Sequence, residues 1–170
     1  MPQTSRLKSL FGNVLIFIAL LLGAEWWQGS KMRSGAWPET AKSLATLDGN
    51  PFVVLGKQKL TLVYVFAPWC GVCRATAGNL NALTERGLNV VSLALAWEQK
   101  SEIDDFVRST GLSASVLVGN DEVARELSVN AFPSYFILSP SGQILKAWSG
   151  YSTTIGLLLK MWAYRLTTLS

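Results

Sequence analysis

Residues 66–74 read Phe66-Ala67-Pro68-Trp69-Cys70-Gly71-Val72-Cys73-Arg74. The run leading into them, Leu60 to Phe66, is LTLVYVF. Such a dense run of apolar, β-branched and aromatic residues is the pattern of a strand buried on both faces. Ala67-Pro68 closes that strand. A helix then opens around Gly71 and runs to about Arg86, where Gly87 offers a C-terminal stop. Cys70 thus stands at the helix start and Cys73 one turn inside, so the two sulfurs can meet across that turn. The unpaired amides and positive dipole end of the helix favour a thiolate on Cys70, and Cys73, lying deeper, holds its proton more firmly. The expected chemistry is thiol–disulfide exchange: Cys70 attacks a partner disulfide and Cys73 resolves the mixed disulfide.

Working outward, the rest of the chain alternates strands and helices. Lys42–Leu47 and Phe52–Leu55 flank Asp48-Gly49-Asn50-Pro51 and predict a hairpin. Leu88–Ala96 (LNVVSLALA) is a second buried strand, and Ser101–Thr110, with a Ser cap followed by Glu102 and a stop at Gly111, is a helix. Ser115–Val118 is a short strand. Asp121–Leu127 is a helix capped by Asn120 or Asp121. Ser134–Leu138 and Gln143–Trp148 are strands joined by the turn Ser139-Pro140-Ser141-Gly142. Thr153–Leu166 reads as a final helix, apolar on one side with Lys160 and Arg165 on the other. Strand–helix–strand units followed by a hairpin and helix predict an α/β fold, a mixed sheet flanked by helices. Sites in open sheets lie at the C-terminal ends of strands, where Cys70 falls.

The chain has two cysteines and no histidine. Without histidine there is no imidazole base and no His-containing metal site. Zinc would need a second pair of ligands that the sequence lacks. Cu(I), a soft ion suited to thiolates, remains an alternative use of Cys70 and Cys73, within one molecule or between two. Hydrophobic residues make up 49% and charged ones 15%, which excludes a disordered chain. The formal charge of +4 is spread without a basic block, so no nucleic-acid partner is expected.

Ahead of the domain, Leu10–Ala24 (LFGNVLIFIALLLGA) is apolar except for Asn13, with Arg6 and Lys8 before it and Trp26-Trp27 after it. Residues 10–27 are near the shortest length that crosses a bilayer, and the Trp pair resembles an interfacial belt. A cleaved signal peptide fits less well, because Leu22 occupies a position that favours a small residue. The expected organisation is a cytoplasmic N-terminus (1–9), a transmembrane anchor (10–27), a polar tether (28–40) and a folded domain (41–170). Arg6 and Lys8 before the span are balanced by Lys31 and Arg33 after it, so charge does not fix the orientation; the simplest arrangement has the N-terminus inside, which for a bacterial chain is a single-pass inner-membrane protein with the domain facing the periplasm.

Pro133, in Ala131-Phe132-Pro133-Ser134, directly precedes a strand. Taken alone it is an ordinary proline at a strand start. Taken with Trp69-Cys70-Gly71-Val72-Cys73 after a buried strand and with the terminal hairpin and helix, it makes the chain resemble the thioredoxin superfamily over roughly residues 36–170. The resemblance implies a thioredoxin-like fold and a cis proline at 133 packed against the cysteine pair. It further implies a substrate strand bound at Phe132 and Pro133, while Trp69, beside the nucleophile and expected to be partly exposed at the turn, reads as a partner-docking surface and shield for the sulfur or as core packing. The nearer likeness is to the membrane-anchored extracytoplasmic branch related to cytochrome-c-maturation reductants. Nearer still are the thioredoxin-like proteins of bacterial copper-sensitivity-suppressor systems, through Trp-Cys-Gly-Val-Cys-Arg, the Trp pair after the anchor, and Ser149-Gly150-Tyr151 before a Trp162-containing helix. These likenesses imply an extracytoplasmic protein substrate with a disulfide, a membrane thiol as electron donor, and no cofactor.

The chain also departs from those patterns. Tyr64 stands where thioredoxins carry a buried acid, and Thr76 and Gly78 stand where the cytochrome branch often has Glu and Pro. The proton acceptor for Cys73 is therefore not identified, although Glu98 follows the second core strand. A solvated Glu98 at the helix start is the simpler expectation. Arg74 either adds positive potential near the thiolate or is a solvated helix residue. Trp97, Trp148 and Trp162 read as core or interface residues.

Overall fold

The computed structural model describes residues 13–14, 16–17, 23, 32–54 and 59–168. In chain order its elements are β1 (Gly35–Ala36), a 3-10 turn (Glu39–Ala41), β2 (Ser43–Ala45), β3 (Pro51–Val53) and β4 (Thr61–Phe66). There follow α1 (Gly71–Thr84), β5 (Asn89–Ala94), α2 (Lys100–Thr110), β6 (Ser115–Val118), α3 (Asp121–Glu126), β7 (Ser134–Leu138), β8 (Gln143–Ser149) and α4 (Thr154–Thr168). Six strands form one sheet in the order β1-β8-β7-β4-β5-β6, and β2 and β3 form the expected hairpin. Leu55, the expected end of that hairpin, lies outside the described residues.

Strand β4 is central, and all six of its residues are buried. It runs parallel to β5 and antiparallel to β7. Its pleat sends Leu62, Tyr64 and Phe66 to one face and Val63 and Val65 to the other. The first face packs on α1, α2 and α4 through Cys73, Ala77, Leu80, Phe106, Leu157 and Met161. The second packs on the 3-10 turn and α3 through Trp37, Ala41, Val123 and Leu127. Coverage on both faces explains why β4, β5 and β7 read as continuous apolar runs.

Helix ends follow local chemistry. Gly87 adopts φ +73°, and the Leu88 amide donates to the Leu83 carbonyl at 3.2 Å, a Schellman closure of α1. Asn120 settles the α3 cap, its Oδ1 accepting the Val123 amide at 3.0 Å. For α2 the expected cap is corrected: Ser101 lies inside the helix and Gln99 is the N-cap, without a side-chain bond. The Glu102 carboxylate instead accepts the amide of Glu98, the residue before the cap, at 3.1 Å.

The expected tether at 28–40 is also corrected. Residues 32–40 are folded onto the domain. Arg33 donates its amide to the Leu127 carbonyl, β1 pairs with β8, and Trp37 is buried against Phe136 with its indole N–H on the Ala41 carbonyl. Burial of one large ring outweighs the polar composition around it. The 1–9 segment and, apart from positions 13–14, 16–17 and 23, the 10–27 segment lie outside the described residues. Among the described residues no helix is long and apolar enough to cross a membrane.

Helix α4 departs from its expected polar outer face. Leu157 and Met161 face the core, but Ile155, Leu159, Trp162 and Leu166 are all exposed. The helix carries two apolar stripes, and composition alone cannot say which one meets the sheet. Lys160 lies over the Trp148 ring, 4.5 Å from its centroid.

Candidate active site

Cys70 is the N-cap of α1, with extended backbone (φ −78°, ψ 110°). Its Sγ accepts the Cys73 amide at 3.1 Å, so sulfur takes the place of a capping oxygen. A disulfide joins Cys70 to Cys73, whose Cα atoms are 5.2 Å apart. On reduction, a Cys70 thiolate in this position keeps an amide donor and the positive end of a helix dipole beside it. Cys70 retains 6% of its surface and Cys73 none, so the opening to solvent belongs to Cys70. It is a narrow opening: the broad exposure at this turn belongs to the neighbours Trp69 (68%), Gly71 and Val72.

The rim is built from the C-terminal ends of successive strands. After β4, the Trp69 indole N–H donates to the Ala96 carbonyl at 2.9 Å. Ala96, just after β5, is held at φ +51°, an uncommon conformation for a residue with a Cβ. After β5, the Trp97 indole N–H donates to the Gly119 carbonyl beyond β6 at 2.8 Å. Trp69 meets Phe132 edge-on, with ring centroids 5.8 Å apart. The Phe132–Pro133 bond is cis, as the resemblance implied. The register of β7 beside β4, with Ser134 opposite Val65, puts this bond at the same end of the sheet as the cysteines. The structure thus brings Trp69, Cys70, Cys73, Phe132 and Pro133 to one edge. Trp148 is core, Trp97 is half-buried, and Trp162 is exposed.

Arg74 is neither free nor merely solvated. Its guanidinium donates to the Pro68 carbonyl at 3.0 Å and to Ser109, and lies 5.2 Å from the Phe106 ring centroid. It ties the turn before Cys70 to the end of α2. Glu98 is exposed at the start of α2. Thr76 is buried and donates to the Val72 carbonyl, and among the described residues no carboxylate is buried.

Sequence reasoning missed the contact beneath Cys73. The Tyr64 hydroxyl donates to the Cys73 carbonyl at 2.9 Å. Burial, and next the Tyr135 ring system beside it, hold that hydroxyl well above the usual phenol range. Burial likewise pushes Tyr135 up to about 12. Nothing in the sequence points a tyrosine at a helix carbonyl. Period-two alternation around Tyr64 places it only on the α1 face.

Comparison with known proteins agrees with this geometry. The Redoxin family model matches residues 28–155. A thioredoxin-like protein of Haemophilus influenzae is 30% identical over 124 residues, spanning 70% of this chain and 72% of its own. The thiol:disulfide interchange protein DsbE of Escherichia coli K12 is 28% identical over 155 residues, 81% of this chain and 82% of its own. Among solved structures, DsbF of Mycobacterium tuberculosis superposes with a TM-score of 0.64 at 23% identity, over 74% of this chain and 97% of its own. The fold is therefore thioredoxin-like, and with a family model that spans most of its length the chain belongs to the Redoxin family.

Proposed function

We propose that this protein is a thiol–disulfide oxidoreductase that reduces disulfides of an extracytoplasmic partner protein through Cys70 and Cys73. Cys70 is the attacking sulfur, Cys73 resolves the mixed disulfide, and Trp69, Phe132 and Pro133 receive the partner's backbone. The observation that carries this reading is the sulfur of Cys70 capping a helix, bonded to Cys73, and holding the pair's only surface opening. The names of relatives, thiol:disulfide interchange proteins among them, support the same activity.

The cellular setting belongs to the same proposal. Residues 10–27 anchor the chain in the inner membrane with 1–9 in the cytoplasm and the domain in the periplasm. A membrane thiol supplies electrons, and the activity serves copper tolerance. Met32 is already packed on the domain, and from residue 27 to residue 32 the chain can span at most about 18 Å, at about 3.5 Å per residue, so the domain would meet partners close to the bilayer surface.

The test is trapping. Reduced Cys73→Ala protein, mixed with a disulfide-containing polypeptide such as insulin, is expected to form an adduct through Cys70 that dithiothreitol releases. Absence of the adduct, or insulin reduction by Cys70→Ala protein at the unmodified rate, refutes the reading. The alternative, a Cu(I) module without redox turnover, predicts copper uptake by the dithiol and no adduct.

A further inference from the structure

Resolution of a mixed disulfide needs the second cysteine to lose a proton while its sulfur is aimed at the first. Both requirements fall on Cys73, which is completely buried. The residues around it show how one is met and how the other is not. Beneath α1 a row of side chains crosses the sheet in register: Trp148 on β8, Tyr135 on β7, Tyr64 on β4 and Ser92 on β5. Tyr135 stacks on Trp148 with centroids 4.9 Å apart, and Tyr64 lies 5.6 Å from both Tyr135 and Phe66. With its ring held by aromatic neighbours, the Tyr64 hydroxyl has a fixed place, 2.9 Å from the Cys73 carbonyl, to which it donates.

A hydroxyl donating to a carbonyl is an anchor and not a base. The buried polar side chains among the described residues are threonines and serines, without Asp, Glu, Lys or Arg. The chain has no histidine. We propose that Tyr64 is a positioning residue that fixes Cys73 by its carbonyl, and that none of the side chains among the described residues accepts the Cys73 proton during resolution.

This rests on the exchange reading above and deepens it. Cys70 thiolate attacks one sulfur of the partner disulfide; that S–S bond breaks, and the other partner sulfur leaves as a thiolate. Cys73 then attacks Cys70 Sγ. The Cys70–partner bond breaks, and the second partner sulfur departs. The proton of Cys73 goes to that departing sulfur or to water. Two electrons pass from the dithiol to the partner, and the Cys70–Cys73 disulfide remains.

The device differs from a buried carboxylate in its pH signature. A carboxylate acceptor introduces a second ionisation, in the acid range when solvated and higher when buried. Here the resolving step should follow thiol ionisation alone, its rate falling about tenfold per pH unit below that ionisation, without a plateau in the carboxylate range.

The experiment uses glutathione and the full chain. The Cys70–glutathione mixed disulfide is formed in a glutathione buffer, and its decay to the internal disulfide is followed by mass spectrometry after acid quench. In the unmodified protein the decay rate should show one ionisation between pH 4 and pH 9. In Tyr64→Phe the decay should slow about 3- to 10-fold, the mixed disulfide population rising in step, while the attack of Cys70 on glutathione disulfide is unchanged. A purely structural tyrosine would lower thermal stability and leave the decay rate alone, which overturns the positioning role. An added ionisation anywhere between pH 4 and pH 9 overturns the absence of a base. If the unmodified protein forms no mixed disulfide at all, the exchange reading itself has failed, which is a distinct result. Should Tyr64→Phe not fold, Thr76→Val and the unmodified pH profile still test the proton claim: persistence of the single ionisation in both supports it, and a second ionisation in either overturns it.

Discussion

Substituting Trp37 tests where the domain begins. The ring is 1% exposed and meets Phe136 at a centroid distance of 5.4 Å, with its indole N–H 2.9 Å from the Ala41 carbonyl. Trp37→Ala removes that burial and leaves a cavity, which typically costs about 3–5 kcal/mol for a large aromatic. The lost edge-on contact and hydrogen bond fall inside that range, at about 1 kcal/mol each. Against a total of about 5–15 kcal/mol for a single domain, this is a large fraction. At about 3–5 °C per kcal/mol for a domain of this size, the melting temperature should fall by roughly 10–25 °C. The assay is urea unfolding followed by circular dichroism, with melting as a second readout. A residue in a flexible tether would change stability by about 0.5 kcal/mol or less. A loss below about 1 kcal/mol therefore refutes the claim that residues 32–40 belong to the fold.

Two further outcomes follow from local geometry. Gly119→Ala places a Cβ 2.6 Å from Leu95 Cδ2 and 3.3 Å from the Ala94 carbonyl oxygen, so unfolding should be about 1–3 kcal/mol easier; an unchanged denaturation midpoint contradicts this. The tyrosine pair sets an alkaline limit. A phenol whose folded pKa is raised keeps its proton after the unfolded chain has released one, so its contribution is intact below about pH 10 and is lost as pH rises above it. Stability should fall steeply above pH 10, and Tyr64→Phe combined with Tyr135→Phe should flatten that fall; an unchanged slope rules out the pair as its source.

Legibility in the sequence tracked how strongly each residue constrains itself. The strand at 61–66 and the cysteine turn were readable because a run buried on both faces and a two-residue Cys spacing each have few structural solutions. The Gly87 stop was readable for the same reason, and the α3 cap was narrowed to Asn120 or Asp121. Residues 32–40 misled because Gly, Ser and Pro around Trp37 outnumber it, whereas one buried indole outweighs them energetically. Helix α4 misled because both of its faces are apolar, and only the sheet decides which is covered. The rim bonds of Trp69 to Ala96 and Trp97 to Gly119, the Arg74 clamp and the Tyr64 anchor were not readable. Each joins a side chain to a backbone carbonyl or loop distant in sequence, which only the assembled sheet brings near.

The central claim, that Cys70 and Cys73 form one exchanging redox couple opened to partners by Cys70, is tested most directly by equilibrating the protein against glutathione at graded ratios and counting free thiols. Both thiols should appear and disappear together as a two-electron couple, at about 30 mV per tenfold change in ratio. A reducing midpoint supports the proposed direction of electron flow, and a strongly oxidising one reverses it. Two thiols that respond independently, or a pair that does not respond to glutathione at all, would contradict the account.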